Sequence, residues 1–383
     1  MRQKRFVAWI LLSLVIVSCG DDDDDSPVDT SEDDDASDDN DTSDDDDTSD
    51  DDDTSDDDAI DDDAPLALDA VTPDRGGASA ITSVTLSGAG FDDSLRVFLG
   101  GDQIVDVEVV SANEARVAFG PVDLTEIGPR DVRVVRGGEN AGIEDAFTFE
   151  FDEDPIVFVH GYVVTASEWD VMIERFRAIG YPEDALWPIA YSSSIQSSRV
   201  NARDELAPFV DEVLAATGAE RVDIVAHSMG GLSTRLWIRS YGGGDRVLDY
   251  VSLAGTHHGT ALSCLIPWLG EGSAETCPIY AGEDESVNLV QWDLNGDPDT
   301  EDVDETPFGV EDGGGIHWNA LRTDADIIDV PSHTCCLNQQ FRGDCSDAVN
   351  IEVHGVGHIE MAFDEGVFEL TRDLLRAHNA SHP

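Results

Sequence analysis

The strand-type run Val222-Asp223-Ile224-Val225-Ala226 passes directly into His227-Ser228-Met229-Gly230-Gly231, and helical periodicity begins by Leu232. No other feature of this 383-residue chain restricts its fold as much. A strand that turns into a helix within so few residues leaves no room for side chains at the flanking positions. Those positions are held by Ala226 and Gly230, two of the smallest residues. Ser228, at the tip, is pushed out of the layer with its hydroxyl free. A helix leaving a buried strand in this way packs back on it, which predicts a parallel sheet covered by helices.

The rest of residues 152–383 follows the same rhythm. Pro155–His160 reads as a buried strand and Trp169–Gly180 as a helix stopped by Gly180. Leu206, Phe209, Val210, Val213 and Leu214 fit one helical face, with Gly218 as the terminator. Val247–Ala254 is another buried strand. Strand-like Val349–Val353 leads into His354-Gly355-Val356-Gly357-His358-Ile359, then a last helix. Strands alternating with helices predict an α/β domain with a doubly wound parallel sheet.

Three of these segments, Val159-His160-Gly161, Val222–Gly231 and His354–Ile359, together resemble the small bacterial lipases of the Bacillus lipase A type, the class 2 group of α/β-hydrolases. That group shares the Ala at the first elbow position. The resemblance covers about residues 154–262 and 318–377. It implies Ser228 as nucleophile, His358 as general base, and the backbone N–H groups of Tyr162 and Met229 as the oxyanion hole. The triad acid lies between Ser228 and His358 in the chain. The family's pattern of a small residue, an Asp and two apolar residues falls on Ala325-Asp326-Ile327-Ile328, so Asp326 is the expected acid, with Asp324 and Asp329 as alternatives. His354 competes with His358 and is expected inside the strand end as a core histidine. His227 is expected to pack beside the elbow, and His257 and His258 to edge the pocket or face solvent.

Residues 65–151 differ in kind. Short alternating pieces, Ile81–Leu86, Val105–Val110, Ala115–Phe119 and Asp131–Val135, are separated by Gly76-Gly77, Gly88-Ala89-Gly90, Gly100-Gly101 and Gly137-Gly138. This spacing predicts an all-β sandwich. The order Val71-Thr72-Pro73, Gly76-Gly77, Val84–Gly88, Gly90-Phe91, Val97-Phe98 and Gly100-Gly101 resembles the immunoglobulin-like IPT/TIG domains. That resemblance implies a spacer or binding module and no chemistry.

The N-terminus reads as an address. Basic Arg2, Lys4 and Arg5 precede the apolar run Phe6–Val17, and Ile16-Val17-Ser18-Cys19-Gly20 resembles the lipobox of bacterial lipoproteins. Residues 1–19 are expected to direct export, with Cys19 lipidated, giving a membrane-anchored lipoprotein in the periplasm or at the cell surface. Residues 20–64 hold 27 acidic residues and no Lys or Arg, with Thr-Ser recurring at 42, 48 and 54. Such a tract has nothing to bury and is expected to be a disordered, self-repelling linker. The formal net charge of −62 sets the chain against nucleic-acid binding.

Residues 261–315 form an insertion relative to the small lipases. Leu262, Leu265, Ile266, Trp268 and Leu269 suggest a cap over an acyl pocket. Asp293, Asn295, Asp297 and Asp299 place oxygens at alternate positions, the arrangement of a calcium loop, although Pro298 stands where such loops favour Gly. No organic or redox cofactor is implied. Of the later cysteines, Cys264 and Cys277 form the natural pair, Cys345 pairs with Cys335 or Cys336, and His333 with these cysteines offers a zinc set of poor spacing. The expected activity is hydrolysis of lipid or shorter carboxylic esters. Polyester cleavage or acyl transfer are alternatives on the same fold, and a catalytically silent surface-binding protein is the alternative outside it.

Overall fold

The computed structural model describes residues 64–277, 289–295, 315–337, 345 and 349–379. The expected leader, Cys19 and the acidic linker as far as residue 63 lie outside the described residues.

The N-terminal layer holds β1 (Ala67–Thr72), β2 (Arg75–Gly77), β3 (Thr82–Ala89), β4 (Arg96–Leu99), β5 (Asp102–Ile104), β6 (Val107–Ser111), β7 (Glu114–Phe119), β8 (Gly128–Arg136) and β9 (Glu139–Glu150). One sheet runs β1-β3-β7-β6 and the other β2-β9-β8-β4-β5. All pairs are antiparallel except β2 with β9. Alternation along β3 turns Val84 and Leu86 inward to meet Phe119, Phe147 and Phe149. The Phe119 and Phe147 rings meet edge-on at 5.0 Å. The expected strand at Val105–Val110 is shifted. Val105 is 87% exposed and precedes β6, whose valines are at most half-buried. An edge strand has one neighbour and little to cover it, so alternation there need not mark a core face.

The second layer is a six-stranded parallel sheet of β10 (Ile156–Val159), β11 (Leu186–Pro188), β12 (Val222–His227), β13 (Val247–Leu253), β14 (His317–Thr323) and β15 (Asn350–Val353), in the order β11-β10-β12-β13-β14-β15. Every residue of β10, β12 and β13 is buried, as helices on both faces require. Val157 and Val159 pack on one face with Leu232, Leu236 and Trp237. Ile156 and Phe158 pack on the other with Trp169 and Phe176. The helix Ala207–Thr217 starts with Pro208 in its first turn and stops at Gly218, which adopts φ 76°.

The sandwich is seated on this sheet rather than merely linked to it. Ala78 and Leu124 are buried in the same cluster as Ile156, Phe158 and Phe176. Glu153, at the junction, has a fully buried side chain. It accepts from Ser79 Oγ of the sandwich at 2.6 Å and from Arg376 Nε of the last helix at 2.8 Å, and Tyr181 donates to its other oxygen. Glu153→Ala leaves buried Ser79 and Tyr181 and the half-buried Arg376 without their shared acceptor. We expect a loss of about 3 kcal/mol, with both layers unfolding in one transition, measured by urea denaturation followed by fluorescence and circular dichroism.

The N-terminal ends of the parallel strands hold a buried acid pair. The Asp249 N–H donates to Asp223 Oδ1 at 3.2 Å, and His378 Nδ1 lies 2.8 Å from Asp249 Oδ1. Burial, then the charges of Asp249 and Asp154, push Asp223 well above the usual carboxylate range. Burial likewise raises Asp249 to about 6, with His378 opposing. Groups raised in the folded state contribute stability at low pH and lose it as pH rises from about 4 through the folded value. Asp223→Asn is therefore expected to raise the melting temperature at pH 8, the gain shrinking as pH falls towards 4.

Candidate active site

The elbow forms at the junction of β12 and the helix Met229–Ser240. Ser228 sits between them at φ 54°, ψ −128°, a left-handed conformation unusual for a residue with a side chain. The neighbourhood enforces it. A Cβ on Gly230 would come within 2.4 Å of the Val159 carbonyl oxygen, and one on Gly161 within 2.8 Å of Ser228 Cβ. These close approaches bring the end of β10, the loop after it and the elbow together.

Ser228 Oγ lies 3.0 Å from His358 Nε2. His358 Nδ1 lies 2.8 Å from Asp326 Oδ2, with both side chains almost fully buried. The other Asp326 oxygen accepts the N–H groups of Ile328 and Asp329 at 2.9 and 2.8 Å, which fixes the carboxylate's orientation. Three loops, after β12, β14 and β15, thus bring Ser228, Asp326 and His358 into one hydrogen-bonded line. Burial works to lower His358, but the carboxyls of Asp329 and Asp326 outweigh it and leave the imidazole raised. Such a line can take a proton from the serine while an imidazolium forms between oxygen acceptors.

Tyr162 follows Gly161 in the loop after β10, and Met229 opens the elbow helix. The first N–H groups of a helix have no helical acceptor, so the Met229 amide is free for a ligand oxygen. The Tyr162 hydroxyl is buried with no hydrogen-bond partner among the described residues. Gly272, in the short helix Glu271–Glu275, lies against the Met229 side chain and so beside the elbow.

Other histidines and acids depart from expectation. His354 is an exposed residue, not a core one: its side chain is 74% exposed and its Nδ1 pairs with Asp324 at 2.9 Å. Asp324 is thereby committed to His354 and the Gly355 N–H, which with the backbone bond foremost hold it below the usual range. His257 and His258 are buried, so neither faces solvent. His227 does more than pack. Its Nδ1 meets Glu168 Oε1 at 2.8 Å and its Nε2 meets the His358 carbonyl at 2.9 Å. Glu168 also accepts from the Gly161 N–H at 3.4 Å. Burial opposes ionisation of Glu168, but the neighbouring His227 prevails and holds it low. Glu168 and His227 therefore brace the loop after β10 against the loop carrying His358. Glu168 was not legible in the sequence, where its only signal is a carboxylate beside Trp169 at the entry to a helix.

The insertion corrects several expectations. Leu265 and Trp268 are 60% and 76% exposed, while Leu262, Ile266 and Leu269 are partly buried. Asp293 and Asn295 lie in the helix Leu289–Asn295, not in a loop. Two helical residues two apart point in nearly opposite directions, so their oxygens do not converge. Asp293 pairs with Arg199 at 2.5 Å, and buried Asn295 donates to the His257 carbonyl and to Gln291 Oε1, each at 2.7 Å. Asp297 and Asp299 lie outside the described residues. Cys264 joins Cys277, and Cys336 joins Cys345, leaving Cys335 as a buried thiol. With Cys336 and Cys345 oxidised, the zinc set around His333 keeps a single thiol, the buried Cys335.

Residues 153–268 match the lipase (class 2) family, and residues 66–151 match the IPT/TIG domain. The fold is an α/β-hydrolase with an N-terminal IPT/TIG sandwich. The family match takes in the elbow and the loop after β10 and ends before Asp326 and His358. Two rice proteins, each described as "Probable esterase PIR7A" (Oryza sativa subsp. indica and subsp. japonica), are 34% identical over 114 residues, covering 28% of this chain and 43% of theirs. The chain thus spans less than half the length of these curated relatives. Among solved structures, mature Bacillus licheniformis lipase BlEst2 is 17% identical, covering 59% of this chain and 93% of that one at TM-score 0.42. Aspergillus fumigatus lipase B is 16% identical, covering 60% and 53% at TM-score 0.42.

The crowding at the elbow gives a direct test. Gly230→Ala forces its new methyl against the β10 backbone and is expected to cost about 1–3 kcal/mol in thermal unfolding, with reduced reactivity at Ser228.

Proposed function

We propose that this chain is a serine hydrolase that cleaves carboxylic esters of lipid or shorter acyl type through an acyl-enzyme. The observation that carries the reading is the continuous line from Ser228 Oγ through His358 to Asp326, at 3.0 and 2.8 Å. Ser228 Oγ attacks the ester carbonyl while its proton passes to His358 Nε2. Asp326 accepts the Nδ1–H and stabilises the imidazolium. The Tyr162 and Met229 N–H groups receive the carbonyl oxygen as it becomes an oxyanion. When the tetrahedral centre collapses, His358 returns the proton to the departing alcohol. Water then attacks the acyl-enzyme by the same route and frees the acid.

In the same reading, residues 1–19 export the chain, Cys19 carries the lipid, and the acidic tract up to residue 64 holds the folded unit off the membrane. Two disulfides fit an oxidising, exported location. The reaction as proposed uses no organic or redox cofactor.

The test is hydrolysis of an ester series of increasing acyl length. Ser228→Ala and His358→Ala are each expected to lower kcat by at least about 10⁴ on every member that the parent cleaves. Parental turnover in Ser228→Ala would rule out the assignment. Because His358 must be neutral to act as base and is held above the usual imidazole range, the acidic limb of kcat/KM is expected above pH about 6.5. A half-maximum well below that value counts against His358 as the base.

A further inference from the structure

The loop that presents Asp326 carries a second carboxyl that the reaction above leaves unused. Asp329 is completely buried. Its Oδ2 lies 3.7 Å from His358 Nδ1, the nitrogen that Asp326 engages at 2.8 Å. One oxygen each of Asp326 and Asp329 and a ring nitrogen of His358 fall within 4.8 Å of one another. Asp329 Oδ1 has no hydrogen-bond partner among the described residues, and Oδ2 accepts from the Cys335 thiol at 3.4 Å, a weak donor. A buried carboxyl so thinly satisfied is unfavourable in an ordinary loop, where an apolar side chain would serve better.

The surroundings show where a charge on Asp329 would act. Asp326 faces it from the same loop and His358 from the loop after β15. Cys335 faces it from the turn Ser332–Cys335, and His227 adds its influence from the end of β12. Glu168 acts on His358 from the segment ahead of the helix Asp170–Ala178. Among the described residues, the ring nitrogen that Asp329 approaches is His358 Nδ1, on the imidazole whose Nε2 takes the serine proton. At 3.7 Å the contact is too long for a hydrogen bond but well within Coulombic range, and a shift of about 1 Å closes it.

We propose that Asp329 is a positioning residue for the hydrolysis, a second carboxyl that shares the Nδ1–H of His358 with Asp326 and holds it when Asp326 is lost. The proposal rests on the assignment of Ser228 and His358 made above. In turnover the Ser228 O–H bond breaks and the Nε2–H bond forms, and the positive charge then lies between two carboxyls rather than beside one. Burial pushes Asp329 up to about 7, with the charge of His358 opposing, so the Asp329 carboxyl changes charge near neutral pH.

The experiment compares the parent, Asp326→Asn, Asp329→Asn and the double variant on one soluble short-chain ester, with Ser228→Ala as the blank. Asp326→Asn is expected to lose roughly 10–100-fold in kcat rather than the full ~10⁴ of an unreplaced triad acid, and the double variant to lose about 10⁴. Asp329→Asn keeps kcat within about tenfold and moves the acidic limb of kcat/KM to lower pH, because a carboxyl that raised His358 has gone. A purely structural role would leave that limb in place. The downfield proton resonance of His358 Nδ1–H is expected to persist in Asp326→Asn and to disappear in the double variant. A full 10⁴ loss in Asp326→Asn, or a parental pH profile in Asp329→Asn, overturns the proposal. Should Asp329→Asn fail to fold, loss of the resonance in Asp326→Asn overturns it alone. Parental turnover in Ser228→Ala overturns the underlying assignment instead.

Discussion

Everything at the site depends on one steric constraint, the close approach of β10, its following loop and the turn at Ser228. Ala226, Gly230 and Gly161 leave room for backbone against backbone, and Ser228 takes a left-handed conformation as a result. A residue held at φ 54° costs about 1–3 kcal/mol that surrounding packing must offset. The offset comes from β10, β12 and β13, buried along their whole length between two apolar layers. The sheet is rigid enough to hold one strained residue, and that residue is the one whose hydroxyl faces His358.

The two ends of the parallel sheet treat charge differently. At the end carrying Ser228, buried carboxyls are matched to histidines: Asp326 to His358 and Glu168 to His227. At the opposite end, Asp223 and Asp249 lie together and are shifted towards the neutral form, with His378 and, more weakly, Arg221 offsetting burial at Asp249. Burial alone disfavours a charged carboxylate, and for Glu168 the His227 nitrogen 2.8 Å away outweighs that and holds it low. The sandwich adds a third buried carboxyl, Glu153, which is satisfied by donors from three separate elements and so ties the layers into one unit.

Much of this was legible in the sequence because the governing interactions are local. Short runs rich in Val, Ile and Leu marked β10, β12 and β13, Gly218 marked a helix end, and the small residues around Ser228 marked the elbow. The Ala325-Asp326-Ile327-Ile328 pattern singled out the carboxyl that meets His358 Nδ1. What sequence could not carry was which side chains meet through space. Glu168 reaches His227 across 59 positions, and Asp329 approaches His358 from a place that its own segment marks as secondary. His354 looked interior because it ends a strand, yet β15 is the sheet's edge and leaves it exposed beside Asp324. The alternating oxygens from Asp293 suggested a loop, whereas apolar Val290 and Leu294, buried in the core, pull the segment into a helix.

The most direct test of the account is intact-protein mass spectrometry after reaction with a fluorophosphonate. The account predicts a single adduct, mapped to the peptide containing Ser228, formed rapidly in the parent and slowed greatly in His358→Ala because the hydroxyl loses its base. A stoichiometric adduct persisting in Ser228→Ala, or an unmodified parent that still hydrolyses esters, would contradict it.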